Sequence, residues 1–216
     1  GFEYSFDDAK KIIKKIGKKN PKTLGFKKDR IDVLQEGSLI FKLLLKRFES
    51  DNIITSGVGV REGVYLNDIL RTVNRKFPAN FNPSVRSLID RFCLNSRLAN
   101  SITSTSRDLF DILSPIHTID KFYKKHLLIA SRLVHIGVSL DYYTRFENSF
   151  YAILSSLNYG FRHSEQLLIA HIIKFNKKSL PKAGSLSKYD ILLPSLNTIQ
   201  WLSFILKFSD TINSDF

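Results

Sequence analysis

At 216 residues, with 43% hydrophobic and 12% aromatic content, the chain has material for one large or two small packed domains, which excludes an intrinsically disordered protein. Its 33 lysines and arginines against 20 acids leave a formal net charge of +13, which favours a polyanionic partner such as polyphosphate, a nucleotide or nucleic acid, unless the lysines are only a solvated face. The single cysteine, Cys93, excludes an internal disulfide and a thiolate zinc cluster, and no apolar run reaches the roughly 18 residues a membrane span needs, so a soluble, reduced, cytoplasmic setting is expected.

No methionine occurs, even at position 1, which is the composition expected of a fragment, a processed product or an incomplete sequence. Ser5-Phe6-Asp7-Asp8 has the form of a capping box and opens a helix with Phe6, Ala9, Ile12, Ile13 and Ile16 at three- and four-residue spacing. Gly17 and Pro21 end it, and its outer face begins a basic cluster running from Lys10 and Lys11 through Lys18 and Lys19 to Lys28. Arg30-Ile31-Asp32-Val33-Leu34 leads to Gly37, after which Leu39, Ile40, Leu43, Leu44 and Phe48 predict a second amphipathic helix. Arg30 either faces an anion cleft or pairs with Asp29 or Asp32 at the helix start.

Asn52 to Thr55 reads as a short strand, broken by Gly57, Gly59 and Gly63 before Val64, Leu66, Ile69 and Leu70 resume helical spacing. Such a turn can bring backbone amides close to a phosphate, although it lacks the lysine of a P-loop and the spacing of a dinucleotide fingerprint. Residues 72–83, with Phe77-Pro78-Ala79-Asn80, read as a linker between a first domain at 1–71 and an all-helical domain at 84–216. In the latter, Asn82 and Pro83 start a helix through Val85, Leu88, Ile89, Phe92 and Cys93. Leu98 to Leu113 form the next, and Thr118 caps a long one through Ile119, Phe122, Leu127 and Leu133 to Gly137. Phe146 to Leu157 follow, ended by Gly160, then a helix from Ser164 to Phe175, and a last one from Pro194 around Trp201 to Phe208. The apolar stripes read as core, not as a ligand box.

Ser56-Gly57-Val58-Gly59-Val60-Arg61-Glu62-Gly63-Val64 resembles the signature that closes the phosphatase domain of the exopolyphosphatase and guanosine-pentaphosphate phosphohydrolase family, and Arg30-x-Asp32-Val33-Leu34-x-x-Gly37 resembles an element preceding it. The second half is similar to the helical domain of the longer members, a relative of the HD phosphohydrolases, through Leu109-Phe110-Asp111, Leu133-Val134-His135-Ile136-Gly137, Asn148-Ser149-Phe150-Tyr151, Phe175-Asn176-Lys177-Lys178 and Lys207-Phe208-Ser209-Asp210. The resemblance implies a mainly α chain: the end of an actin-like ATPase-type α/β phosphatase domain followed by an all-α HD-like domain. It implies a hydrolase of terminal phosphoanhydride bonds in polyphosphate or guanosine pentaphosphate, magnesium-dependent in the full-length enzyme, and a homodimer. Arg30, Gly57, Gly59, Arg61 and Gly63 would form a substrate-holding wall. No catalytic residue is expected within these residues, since neither an Asp-x-Gly-[Ser/Thr] nor a Gly-Gly-Gly-[Ser/Thr] phosphate loop occurs, and Glu62 is expected to shape its own loop.

HD enzymes hold metals with histidines and carboxylates. Here Leu98, Asn148 and Asn176 stand at histidine positions, Ile136-Gly137 follow His135 in a segment one residue short, and only His135 and Asp210 remain, so no metal is expected on this chain alone. His135 then reads as a buried core histidine, and Asp210 as a partner of Lys207 or a cap at the chain end. Two other readings stay open: a non-catalytic module binding nucleic acid through the lysine-rich N-terminus, and an HD phosphohydrolase with its own metal.

Overall fold

The computed structural model describes residues 2–17, 21–56, 59–77, 82–92, 94–177 and 179–214. Gly57, Cys93, Lys18, Lys19, Lys178 and the Pro78–Asn80 part of the expected linker lie outside them. The chain is mainly helical and divides into two compact units, Gly1–Ser56 and Gly57–Phe216. No helix among the described residues is long and apolar enough to cross a membrane.

In the first unit, strand β1 (Glu3–Ser5) runs straight into helix α1 (Phe6–Ile16). Ser5 caps that helix as its sequence predicts, with Oγ accepting from the Asp8 amide at 3.1 Å and donating to the Asp8 carboxylate at 2.8 Å. Helix α2 (Leu34–Arg47) packs on α1, and strand β2 (Asn52–Ile54) pairs antiparallel with β1, setting Tyr4 opposite Ile53. The helix begins three residues before Gly37, which therefore lies in its first turn. Its expected buried stripe is not buried: Leu39, Ile40, Leu43, Leu44 and Phe48 are exposed, and Leu45 is the α2 side chain that packs inward. Two helices and a two-stranded ribbon bury only a narrow strip, around Ala9, Ile16 and Leu45, so most of an apolar face stays outside it.

The second unit opens with α3 (Val60–Ile69) and α4 (Pro83–Arg91). Asn82 caps α4 as expected: its Oδ1 accepts from the Ser84 and Val85 amides at 2.9 and 3.1 Å, and its Nδ2 donates to the Tyr159 carbonyl at 2.8 Å. Helix α5 (Ser96–Ile112) is capped by Asn95, and the short α6 (Ser114–His117) follows. Thr118 does not cap the next helix. It lies in the left-handed region (φ 51°) and ends α6, while Asp120 caps a 3-10 turn that leads into α7 (Lys124–Leu133). Then come α8 (Arg145–Ser156), α9 (His163–Lys174), the unanticipated short α10 (Ala183–Leu186), and α11 (Leu196–Ile212), capped by Ser195.

The core lies where α5, α7, α8, α9 and α11 meet, around Phe110, Leu127, Leu133, Ile153, Ile169, Ile172 and Ile205, all buried. Each such side chain contributes roughly 1.5–3 kcal/mol by leaving water. Phe208, expected in the core, is 46% exposed, and it stacks on Phe204 along the outer face of α11. Helices α5 and α7 approach through small residues: Ser131 Oγ lies 2.8 Å from Ser106 Oγ, and both serines are fully buried.

Candidate functional site

Arg30 ends a 3-10 turn, Lys28–Arg30, in the first unit and is exposed. Its pairing with Asp29 or Asp32 does not form among the described residues. Asp32 Oδ1 instead accepts from its neighbour's amide, Val33 N, at 3.0 Å. The guanidinium is left to solvent or to a ligand.

In the second unit, Gly59 is the N-cap of α3, in an extended conformation. The Glu62 carboxylate folds back over it, so closely that a Cβ on Gly59 would sit 2.7 Å from Glu62 Oε2. The carboxylate thereby places negative charge at the amide end of the helix. Arg61 and Gly63 stand inside the first turns of α3, not in a loop before it: the Gly63 amide donates to the Gly59 carbonyl at 3.2 Å. Gly63 has open space around it and no left-handed backbone, so neither close packing nor conformation requires glycine there.

The helical unit brings together two of the candidate residues. His135, just after α7, and Asp210, near the end of α11, meet with Nε2 and Oδ1 2.7 Å apart. The other carboxylate oxygen of Asp210 accepts from Asn176 Nδ2 at 2.6 Å. Asp210 is thus not a cap at the chain end: its carboxylate is held by His135 and Asn176 rather than by the neighbouring base expected. Each of its oxygens has a hydrogen-bond partner, one an imidazole and one an amide N–H. Asn148 turns to the Thr144 hydroxyl at 3.0 Å, and Glu147 pairs with Lys177. Asn176 Oδ1 is left buried without a partner, but a neutral amide oxygen with one committed histidine and one committed carboxylate does not fit a divalent metal. No group of three or more His, Cys, Asp or Glu side chains with metal-holding geometry occurs among the described residues.

His135 is half-buried and not the core histidine expected, whereas His117, His126 and His171 are buried. His117 Nε2 lies 2.9 Å from the Phe110 carbonyl while its Nδ1 accepts from the Ile119 amide at 2.9 Å. His171 Nδ1 lies 2.8 Å from the Leu167 carbonyl, and burial pushes its pKa down. His126 belongs to an arrangement that sequence spacing did not reveal, because its partner is 39 residues away. Its Nε2 lies 3.0 Å from Glu165 Oε1, which also accepts from Lys125 Nζ at 2.7 Å, while Glu165 Oε2 accepts from the Arg162 amide at 2.9 Å. Burial alone would raise the Glu165 carboxyl, but these bonds outweigh it and hold the pKa at about 2. Burial also pushes the His126 pKa down, more strongly than Glu165 pulls it up. A neutral imidazole donating from Nε2 satisfies both shifts, and leaves Nδ1 as a buried acceptor without a partner.

Two family models match the chain in series. The model for the Ppx/GppA phosphatase family matches residues 5–72, and the model for Ppx/GppA phosphatase, domain III, matches residues 82–212. No curated protein matches the chain.

Proposed function

We propose, since this chain belongs to the Ppx/GppA phosphatase family, that it serves the hydrolysis of terminal phosphoanhydride bonds in polyphosphate or guanosine pentaphosphate by holding the anion. The family's members are phosphatases, and the finer division of labour suggested for this chain follows from its residues. Residues 1–71 would be the end of an actin-like phosphatase domain, 72–83 a linker, and 84–216 an HD-like helical domain with a degenerate metal site. Arg30 of the first unit and Gly57, Gly59, Arg61 and Gly63 of the second would each hold substrate. Water-activating carboxylates and magnesium would belong to other parts of a full-length, dimeric, cytoplasmic enzyme.

The observation that carries this reading is the closed set of His135, Asp210 and Asn176. In the HD-like reading, this is where a metal would be bound and water activated, and the unit instead spends its histidine and carboxylate on each other. With a surplus of 13 positive charges remaining on the chain, attraction for phosphate is the property left to it.

A filter-binding competition tests the reading. Labelled polyphosphate is displaced from the chain by unlabelled polyphosphate, guanosine tetraphosphate or RNA across a salt series. Polyphosphate or the guanosine compound is expected to compete at lower concentration than RNA, with binding weakening steeply as salt rises. A preference for RNA, with no displacement by either phosphate compound, would select the nucleic-acid module instead.

A further inference from the structure

The helical unit contains a second arrangement, which the family comparison does not address. Helices α4, α5 and α7 and the turn at Gly160 enclose an open cleft of about 740 Å³. Four cations line it, Arg86, Arg107, Lys125 and Arg132, and no acid does. The buried Ser106–Ser131 contact pins α5 to α7, and the next residue along each helix, Arg107 and Arg132, lines the cleft together with Thr103 of α5 and Lys125, Leu128 and Ile129 of α7.

The four cations are not equivalent. Arg86 Nε is bonded to Asp90 at 2.8 Å, and Lys125 is committed to Glu165. Arg107 and Arg132 have no acidic partner among the described residues, so two forked guanidinium groups stand uncompensated in one concave site. The turn that closes it is held in place: Gly160 has φ +79°, Asn82 Nδ2 would lie 2.8 Å from any Cβ there, and Tyr159 N donates to Ser84 Oγ at 2.8 Å. The site is thus built from capped and cross-linked elements.

Its lining is otherwise largely apolar, with Val85, Ile89, Leu128, Ile129 and Phe161 alongside the cations. A bare inorganic polyphosphate would gain nothing from those apolar side chains and would lose water against them. A double-stranded nucleic acid could not enter a concavity of this size, which falls within the roughly 300–1,000 Å³ typical of small-ligand sites. The geometry points to a ligand with two unlike ends, a nucleoside di- or triphosphate: phosphates forked by Arg107 and Arg132, base and sugar over Ile89 and Phe161. This inference concerns the helical unit alone, and it stands or falls independently of the phosphoanhydride reading.

Isothermal titration of the full chain with ATP, GTP, adenosine and tripolyphosphate at constant ionic strength tests it. One equivalent of ATP or GTP is expected to bind at least about 10-fold more tightly than either tripolyphosphate or adenosine, because both ends contribute. The Arg107→Ala/Arg132→Ala double variant is expected to lose about 30-fold in nucleotide affinity with an unchanged melting temperature, since both side chains are exposed. The milder Arg132→Lys variant keeps the charge but not the fork, and is expected to lose about 5-fold. Absence of nucleotide binding, equal affinity for tripolyphosphate, displacement of ATP by an RNA oligonucleotide at lower concentration than by ATP itself, or undiminished binding by the folded arginine variants would overturn the proposal.

Discussion

Gly137→Ala is expected to destabilise the helical unit by about 3–5 kcal/mol, among the largest effects a single methyl group can have. Gly137 is buried in the tight turn after α7, and α8 crosses directly over it. A Cβ there would lie 2.0 Å from the Arg145 carbonyl oxygen and 2.7 Å from the Ser149 amide nitrogen. These are backbone atoms of a helix, so the clash cannot be relieved by turning a side chain. Two hydrogen bonds depend on the same approach: the Gly137 amide donates to Ser149 Oγ at 2.9 Å, and that hydroxyl donates to the Val134 carbonyl at 3.1 Å. Moving α8 outward to admit the methyl group would break both and open the core at Phe150 and Ile153. Thermal melting checks this, with a fall of about 10 °C or more expected for a unit of this size. Gly63→Ala, in open space within α3, serves as the control and should leave melting unchanged or slightly raised.

Glu165→Gln is expected to cost about 2–3 kcal/mol at neutral pH, and the loss should disappear in acid. The carboxylate receives Lys125, His126 and the Arg162 amide at once, and it caps the start of α9. Lowering its pKa from 4.5 to about 2 means that the folded protein holds this group charged more readily than the unfolded chain does. The corresponding stability, at most on the order of 3 kcal/mol, is complete above pH 4.5 and is lost as pH falls toward 2. His126 and His171 act in the same direction but earlier. Burial depresses both below the ordinary 6.5, so the unfolded chain takes up their protons first and stability begins to fall below about pH 6.5. Melting temperatures of the wild type and of Glu165→Gln measured from pH 7 to pH 2 should therefore both decline, with the gap between them closing below pH 4.5. A gap that stays constant down to pH 2 would mean that the carboxylate's charge is not what the structure uses.

How much of this was legible in the sequence depended on the range of the interaction. The Ser5 and Asn82 caps and the apolar periods of α4, α8 and α9 are written within a few residues of one another, and the structure follows them; on α1 only Ala9 and Ile16 of the expected stripe are buried. Thr118 misled because a threonine before an apolar run suits an N-cap, yet here the preceding short helix needed a left-handed end and Asp120 took the capping role. Strand β1 is three residues long, too short for an alternating period to register, and owes its existence to pairing with β2 some fifty residues later. The stripe on α2 was periodic as expected, but periodicity states which face is apolar and not whether anything in the unit covers it. Around His135 and Asp210, the sequence showed only that Leu98, Asn148 and Asn176 stand where the resemblance would put histidines. That Asn176 would donate into Asp210 and complete the closure was not readable, because those residues are 34 apart and joined only by tertiary packing. The Arg107–Arg132 cleft was hidden for the same reason: its cations come from separate helices, each of which alone looks like an ordinary solvated face.

Phosphate release most directly tests whether this chain grips phosphate without cutting it. The chain would be incubated with polyphosphate and with guanosine pentaphosphate in the presence of magnesium or manganese, with binding measured on the same samples. Binding without release above the protein-free control is the result expected. Metal-dependent release that disappears in His135→Ala or Asp210→Ala would contradict it, by showing that the pair read here as closed on itself still holds a metal and activates water.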